Sequence, residues 1–304
     1  MPITIVIGGG ISALTYLLYN PGAVALAGDE QQVGGMFKTK SNYGPQYLWV
    51  DRWTQHLLQD LHLCTKSHLI RVGVMDGNKI FTPEDSLPPM MMEDYASKTR
   101  GTRVPIQKSF MSGGKRTYAV YYTSPAEVVD ALLEEVKQQL IFTSAAAVDC
   151  NKKIITCTHA MTYAYKKLVS TIPAPVFTLI AGLKNRSKLC GINKYYAVLP
   201  IDKCDLVVRR AQREGLQYLY CPKMDVPWHR ITFVNDDAIF EFTFTEPDPR
   251  RFKQVFTQYN GQILDGAEIL KQVPKSVEFL GRYAQWNHAI KYNNVIQQIL
   301  EVKK

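Results

Sequence analysis

The sequence predicts an α/β fold in which a parallel sheet forms one domain and a smaller antiparallel sheet forms a second, and three observations lead to this prediction. The chain opens with a β-branched apolar run, Ile3–Ile7, followed by three glycines and a helical stretch that ends near Tyr19. A second apolar run, Ala23–Ala27, comes next, so the opening is strand, helix, strand, as in a parallel sheet. Towards the middle of the chain, apolar and polar residues alternate in segments such as Arg230–Val234, which is typical of antiparallel strands.

The remaining elements follow from periodicity and from the residues that interrupt it. Apolar residues at helical spacing predict helices over Trp53–Leu63 and Pro125–Gln138. The tripeptide Asp76-Gly77-Asn78 predicts a hairpin turn between two strands, Leu69–Val74 and Lys79–Phe81. The other predicted elements are strands at Ile141–Val148, Ile154–Cys157, Leu168–Ile172, Leu216–Tyr220, Ile239–Thr245 and Ser276–Leu280, a loop or short helix at Pro83–Tyr95, and a helix at Gln285–Leu300.

The composition excludes several classes of protein. The 304 residues are 46% hydrophobic and 21% charged, which is ordinary for a soluble globular protein. The apolar stretches are too short for a membrane helix, and Met1 leads directly into a strand pattern, so we expect a cytoplasmic protein without a membrane partner. The six cysteines lack C-x-x-C spacing and lack histidines at ligand spacing, so no metal site is predicted.

The basic charge of the chain bears on its partners. The formal net charge is +9, and the lysines and arginines are spread along the chain. Such an excess influences solubility and partners and has no bearing on the fold. Two interpretations stay open: a solvated basic surface, or a polyanionic substrate or partner such as a nucleotide, a nucleotide sugar or DNA.

The glycine-rich turn after the first strand is the strongest motif. It comprises Gly8, Gly9, Gly10, Ile11, Ser12 and Ala13, at the junction of the first strand and the first helix. Glycines there let the backbone approach a pyrophosphate, whose charge the helix N-terminus stabilises. An acidic residue about 20 positions further on is the usual acceptor for a ribose hydroxyl. Asp29 is the candidate, with Glu30 as the alternative.

A second glycine pair points to a particular family. Val33-Gly34-Gly35-Met36-Phe37 follows the second strand, and "GGGISA…GDEQQVGGMF" resembles the start of the glutathione-reductase-type FAD flavoproteins. Within these it is most similar to the group that contains UDP-galactopyranose mutase, protoporphyrinogen oxidase and the flavin amine oxidases. The resemblance implies a Rossmann-like FAD-binding domain, FAD as the cofactor, and contacts of Gly34, Gly35 and Met36 with its ribityl and phosphate part.

Three further segments carry the same resemblance. Residues 44–48 resemble the segment beside the isoalloxazine, although the mutases have a histidine where Gln46 stands. Ala147-Val148 is similar to the strand whose valine backbone contacts adenine. "FLGRYAQWNH", residues 279–288, resembles the C-terminal flavin motif, in which a glycine-arginine turn opens a helix whose first amides face the flavin. The resemblance therefore adds to the FAD-binding residues Gln46, Tyr47, Val148, Gly281, Arg282, Trp286 and Asn287.

The resemblance also implies a domain organisation in which the two ends of the chain fold together. We predict a discontinuous FAD-binding domain, residues 1–82, 140–175 and 274–304. Residues 83–139 and 176–273 are then the substrate or capping domain, which is reduced because the chain is short for the group.

The function that this resemblance implies is that of an FAD-dependent, amine-oxidase-like oxidoreductase. Such an enzyme oxidises a C–N or C–H bond of an amine-bearing substrate by hydride transfer to flavin N5. His229, Arg230 and Gln46 are the candidates for catalytic or substrate contacts, although a lone histidine is more often structural. Two alternatives remain open: a flavin-dependent isomerase of a nucleotide sugar, as in the mutases, and a flavoenzyme that acts on a modified base in DNA and docks through its basic surface.

Overall fold

The computed structural model describes residues 3–37, 48–49, 51–63, 67–100, 116–121, 125–184 and 189–302. The chain divides into two compact units. The first unit comprises Met1–Lys66, Tyr121–Gly191 and Ile263–Lys304, and the second comprises Ser67–Val120 and Ile192–Gln262. In chain order the helices are α1 (Ile11–Tyr19), α2 (Arg52–Asp60), α3 (Pro89–Arg100), α4 (Pro125–Val136), α5 (Ala174–Ile180), α6 (Leu206–Arg213) and α7 (Tyr292–Glu301). The strands are β1 (Ile3–Ile7), β2 (Ala23–Leu26), β3 (Leu48–Trp49), β4 (Ser67–Asp76), β5 (Lys79–Phe81), β6 (Thr117–Tyr121), β7 (Leu140–Ile141), β8 (Ala145–Asp149), β9 (Ile154–Cys157), β10 (Thr162–Ser170), β11 (Cys190–Pro200), β12 (Tyr218–Tyr220), β13 (Trp228–Val234), β14 (Asp237–Thr243), β15 (Gln254–Asp265) and β16 (Val277–Phe279).

Seven strands of the first unit form one sheet in the order β7-β2-β1-β10-β9-β8, with β16 also paired to β10. The pairs of β1 with β2 and β10, of β2 with β7, and of β10 with β16 are parallel. Both faces of β1 are covered, because Val6 packs with Leu14 of α1 and Leu132 of α4, whereas Ile5 packs with Phe177 of α5 on the other side. This two-sided burial explains why the β1 sequence is continuously apolar.

The sheet of the second unit is mainly antiparallel. Its strands include the order β15-β11-β14-β13-β12-β4-β6, with β5 paired to β4 as the predicted hairpin. One face packs against α6, where Val208 and Ala211 lie with Ile231 and Phe240 in a common core. The predicted α/β class, with a parallel sheet and a second, antiparallel sheet, is confirmed. None of the described helices is long and apolar enough to cross a membrane.

The boundaries of the two units differ from the predicted domain boundaries at four segments. Residues 67–82 lie in the second unit, because β4 pairs with β12 in parallel register. Residues 121–139 lie in the first unit, because α4 packs on α1. Residues 176–191 and 263–273 also belong to the first unit. These assignments depend on pairing between distant parts of the chain, which local patterns do not reveal.

Two predicted elements differ in detail. The predicted strand Ile141–Val148 is two strands, β7 and β8, because the Thr143 amide turns back to the Ile141 carbonyl oxygen at 2.9 Å. The segment Pro83–Tyr95 contains the start of a longer helix, α3, which extends to Arg100.

Candidate functional site

The glycine-rich turn after β1 and the second glycine pair lie against each other. The Gly34 amide donates a hydrogen bond to the Gly9 carbonyl oxygen over 2.7 Å, and Gly10 and Gly34 form an isolated parallel bridge. A Cβ on Gly9 would lie 2.7 Å from the carbonyl oxygen of Ala27, at the end of β2. Since real Cβ atoms do not approach backbone oxygens so closely, this contact requires glycine.

Gly10 occupies the N-cap position of α1 and has room around it. Its backbone is extended, with φ −77° and ψ 172°, and its carbonyl oxygen accepts from the amides of Ala13 and Leu14 at 2.9 and 3.1 Å. A Cβ at Gly10 would meet no described atom within 4 Å. The first amides of a helix lack partners within the helix, so the amides of Ile11 and Ser12 lie where an anion could be held.

The C-terminal part of the chain reaches the same place. Gly281 has φ +100°, and a Cβ on it would lie 2.9 Å from Ser12 Oγ. The Leu280 amide donates to the Ser170 carbonyl oxygen at the end of β10. The two ends of the chain therefore meet at the N-terminus of α1.

The predicted start of the C-terminal helix at Gln285, just after the Gly281-Arg282 turn, is wrong. This segment is a series of turns, in which the Gln285 amide donates to the Gly281 carbonyl oxygen at 2.9 Å, and α7 begins only at Tyr292. Trp286 has φ +49°, a left-handed conformation that is incompatible with a continuing helix. Tertiary packing accounts for this, because the buried Trp286 side chain packs with Ala174 and Ile263.

The side chains of this C-terminal motif bond locally. Arg282 Nε donates to the carbonyl oxygen of Ile290 at 2.9 Å. Asn287 Oδ1 accepts from the Ala289 amide at 2.9 Å. The contacts of Arg282, Trp286 and Asn287 with FAD stay predictions. Because α7 begins only at Tyr292, the first amides of a helix could not provide these contacts.

The remaining predicted cofactor residues belong to the first unit. Asp29 and Glu30 are exposed just after β2, and Asp29 Oδ1 accepts from the Gln31 amide at 3.0 Å, which caps a short 3-10 helix. Val148 is buried in β8, opposite Ile155. The backbone of Gly35 follows Gly34 in the glycine pair. Outside the described residues lie Gln46, Tyr47 and the side chain of Met36.

A cluster of buried charges in the second unit contains two of the predicted catalytic residues. Trp228 is paired with Phe242 and Arg230 with Glu241, so β13 carries one extra residue, His229, between them. This β-bulge turns Trp228 towards the apolar face, where it stacks edge-on with Phe240. Arg230 remains on the opposite face of the sheet with Glu241.

Glu241 is the centre of this cluster. Its Oε1 contacts Lys194 Nζ and lies 3.1 Å from His229 Nε2, while its Oε2 contacts Arg230 Nη2. Thr243 Oγ1 lies 3.4 Å from His229 Nδ1, so the imidazole donates to Glu241 and accepts from Thr243. We name Lys194, His229, Arg230 and Glu241 the charge cluster. Both ring nitrogens of His229 therefore have partners within the sheet.

Sequence reasoning missed Glu241 and Lys194. Glu241 stands inside the apolar strand β14, whose sequence is "DAIFEFT". A carboxylate in such a strand is too costly to bury without cationic partners, and this was the available signal. Among the described residues, no group of three histidine, cysteine, aspartate or glutamate side chains could hold a metal ion.

The electrostatics of the charge cluster follow from burial and from the neighbouring charges. Burial lowers the pKa of His229 to about 4, against the opposing effect of Glu241, so the imidazole is neutral at pH 7. Burial alone would raise the pKa of Glu241, but the charges of Arg230 and Lys194 hold it well below its usual value. The cluster at neutral pH thus contains two cations, one carboxylate and one neutral imidazole.

The depressed pKa of His229 makes stability depend on pH. Between the ordinary pKa of 6.5 and about 4, the unfolded chain binds a proton that the folded chain does not. We therefore expect His229 to account for a loss of about 3 kcal/mol of unfolding free energy between pH 7 and pH 4. Urea unfolding at both pH values should show a smaller loss for His229→Gln than for the wild type. An equal loss in the two proteins would contradict the prediction.

No protein-family model matches the chain, and no curated protein sequence matches it. Solved structures do match, over almost the whole chain. A reduced UDP-galactopyranose mutase is 11% identical, with a TM-score of 0.72, and the match covers 100% of this chain and 94% of the mutase. Putrescine oxidase bound to putrescine is 9% identical, with a TM-score of 0.62 and coverage of 99% and 98%. A fatty acid isomerase from P. acnes is 11% identical, with a TM-score of 0.65 and coverage of 99% and 97%.

This likeness concerns the fold, because the identities are low. UDP-galactopyranose mutase is one of the proteins that the glycine motifs resemble, and putrescine oxidase is an amine oxidase by name. The sequence motifs and the three-dimensional structure thus point to the same group of proteins. The chain has the Rossmann-like α/β fold that UDP-galactopyranose mutase and putrescine oxidase share.

Proposed function

We propose that the chain is an FAD-dependent oxidoreductase whose first unit holds the cofactor. The observation that carries this proposal is the meeting of three segments, Gly8–Ala13, Gly34-Gly35 and Gly281, at the N-terminus of α1. Gly9 lies too close to the Ala27 carbonyl oxygen to carry a Cβ, and Gly281 lies against the Ser12 side chain, while the space around Gly10 is open. A nucleotide pyrophosphate needs this combination of backbone approach and unpaired helix amides.

Several residues would hold FAD in this proposal. The amides of Ile11 and Ser12 would bind the pyrophosphate, Gly34-Gly35 would lie along the ribityl chain, Asp29 or Glu30 would accept from the ribose, and the Val148 backbone would contact adenine. The exposed position of Asp29 and Glu30, directly after β2, suits a ribose contact. Bound FAD would supply an acceptor for hydride at N5, and the protein would supply orientation and electrostatics.

The proposed reaction is the oxidation of a C–N or C–H bond in an amine-bearing substrate. This finer proposal is supported by the likeness of the fold to putrescine oxidase and by the sequence motifs. We propose that Arg230 contacts the substrate, because it is the part of the charge cluster nearest to solvent. His229 would hold Glu241, and so Arg230, in place.

A redox-neutral isomerase of a nucleotide sugar is the second candidate function. Two observations favour it: the TM-score of 0.72 to reduced UDP-galactopyranose mutase, and the excess of cations in the charge cluster, which suits an anionic substrate. An isomerase would be active only after the flavin is reduced, and it would consume no oxygen.

Purification of the full chain tests the proposed function. We expect yellow protein that absorbs at about 450 nm, as FAD does, and that bleaches when an amine substrate is added without oxygen. Turnover only after dithionite reduction, without oxygen uptake, would favour the isomerase. Colourless protein that fails to bind added FAD would contradict both candidates.

A further inference from the structure

We propose that Arg230 and Lys194 in the second unit form a binding site for an oxyanion, a carboxylate or phosphate group of the substrate. As a statement about the substrate, this inference rests on the proposed function. As a statement about anion binding, it rests only on the charge cluster of the second unit. Its experiment therefore measures anion binding and flavin content separately.

The charge balance of the cluster favours an anion. Lys194 and Arg230 share the single carboxylate of Glu241, and the neutral His229 contributes no charge. Besides Glu241, the groups that most affect the pKa of Arg230 are three tyrosines, Tyr95, Tyr218 and Tyr220, and none of them is a carboxylate. Among the described residues, one positive charge is thus left uncompensated in a largely buried place, where unpaired charge is costly.

The exposure of the three charged side chains shows the direction from which an anion would approach. The Glu241 side chain is only 3% exposed, whereas Lys194 is 15% and Arg230 is 30% exposed. The Glu241 side chain is therefore more deeply buried than the side chains of the two cations that contact it. A ligand that approaches from solvent would therefore reach the side chain of Lys194 or Arg230 before that of Glu241.

Arg230 is held in an orientation that suits an oxyanion. Its guanidinium carbon lies 5.5 Å from the Tyr218 ring centroid and 6.0 Å from that of Tyr220, so the two rings restrain it by cation–π contacts. Its Nε is buried and has no hydrogen-bond acceptor among the described residues. A guanidinium fixed in this way keeps donors for a carboxylate or phosphate, which it can bind through two parallel hydrogen bonds.

The same geometry limits the substrate. An ammonium group beside Arg230 and Lys194 would be repelled, so a simple diamine does not suit this site. An amine-bearing substrate would instead carry an acidic group, which the cluster holds, and its amino group would lie elsewhere. A phosphate-bearing substrate, as for the isomerase, would place its phosphate at the same two side chains.

Isothermal titration calorimetry of the full-length protein tests the site with two probes, inorganic phosphate and acetate, in a low-chloride buffer at neutral pH. We expect saturable binding to the wild type and affinity at least about tenfold weaker for Arg230→Gln. Arg250→Gln is the matched control, because Arg250 is also in the second unit but is 88% exposed and paired only locally with Asp248. It should bind the probes as the wild type does.

A second variant keeps the test decisive if Arg230→Gln fails to fold. Arg230→Lys preserves the charge but removes the planar fork, so it should fold and still bind phosphate more weakly than the wild type. Tighter binding of phosphate than of acetate indicates a phosphate-bearing substrate, and the reverse order indicates a carboxylate. The absence of saturable binding, or equal effects of the Arg230 and Arg250 substitutions, would overturn the site.

Flavin absorbance of the same samples separates the two proposals. Loss of anion binding in Arg230→Gln from a protein that holds no flavin would support the anion site and refute the proposed function. Flavin in a protein that binds neither probe would support the proposed function and refute the anion site.

Discussion

Replacement of Gly10 by valine should abolish FAD retention and leave the fold intact. The backbone of Gly10 has a conformation that any residue adopts, and a Cβ there meets no described atom within 4 Å, so the apo protein should accept the side chain. In the proposed complex, however, the three added carbons would occupy the space through which the pyrophosphate approaches the amides of α1. We expect FAD affinity to fall by at least about a hundredfold, on the order of 3 kcal/mol.

Gly22→Val is the matched control for this prediction. Gly22 also has no described atom within 4 Å of a Cβ and has no left-handed backbone, but it precedes β2, away from the glycine-rich turn. The free energy of unfolding of each variant should lie within about 1 kcal/mol of the wild-type value. Flavin content, measured by absorbance after dialysis, should fall only in Gly10→Val. If both variants remain equally yellow, the space around Gly10 is not the cofactor site.

The turn around Gly10 was predictable because its information is local. A buried strand, a glycine-rich turn and a helix follow one another within Ile3–Tyr19, and each element has its own signal in consecutive residues. The contact of Gly34 with Gly9 is not local, but the second glycine pair made it recognisable as part of a known motif. The positions of the first two strands and the first helix therefore agree with the prediction to within one or two residues.

The errors arise where tertiary contacts override local preference. Residues 285–300 have a helical pattern, yet packing of Trp286 against Ala174 and Ile263 imposes a left-handed residue, and α7 starts seven residues later. The β-bulge at His229 likewise depends on the strand with which β13 pairs. It cannot be recognised until Glu241 is known to lie opposite Arg230.

The charge cluster was only partly predictable from the sequence. The sequence identified His229 and Arg230 as candidates for substrate contacts, but their shared partner lies eleven or more residues away in β14. Lys194 is still more distant and joins through the pairing of β11 with β14, where it lies opposite Thr243. The sequence identified two of these side chains, but only the register of the sheet shows that they share one carboxylate.

Removal of that carboxylate should be the most destabilising single change in the second unit that we can name. Glu241→Ala would leave Lys194 and Arg230 without their partner in a buried setting. Removal of one member of a buried ion pair costs about 3–5 kcal/mol of unfolding free energy, because the remaining charge is uncompensated. Urea unfolding at pH 7, followed by tryptophan fluorescence, measures this loss.

Glu84→Ala provides the comparison within the same unit. Glu84 pairs with Arg71 on the surface, where its side chain is 65% exposed, and solvent and salt weaken such a pair. Its removal should therefore change stability far less than removal of Glu241. The double variant Glu241→Ala, Arg230→Ala should lose less than the sum of the two single changes, since each single change already breaks their shared contact.

Added phosphate makes this prediction more specific. If Lys194 and Arg230 bind an oxyanion, phosphate can partly replace the missing carboxylate, so it should stabilise Glu241→Ala more than it stabilises the wild type. Sodium chloride at the same ionic strength corrects for general screening. A Glu241→Ala protein as stable as Glu84→Ala would mean that the four side chains are not an energetically coupled cluster. In that case Glu241 would not hold Arg230 in place, and the orientation on which the anion site depends would have no physical basis.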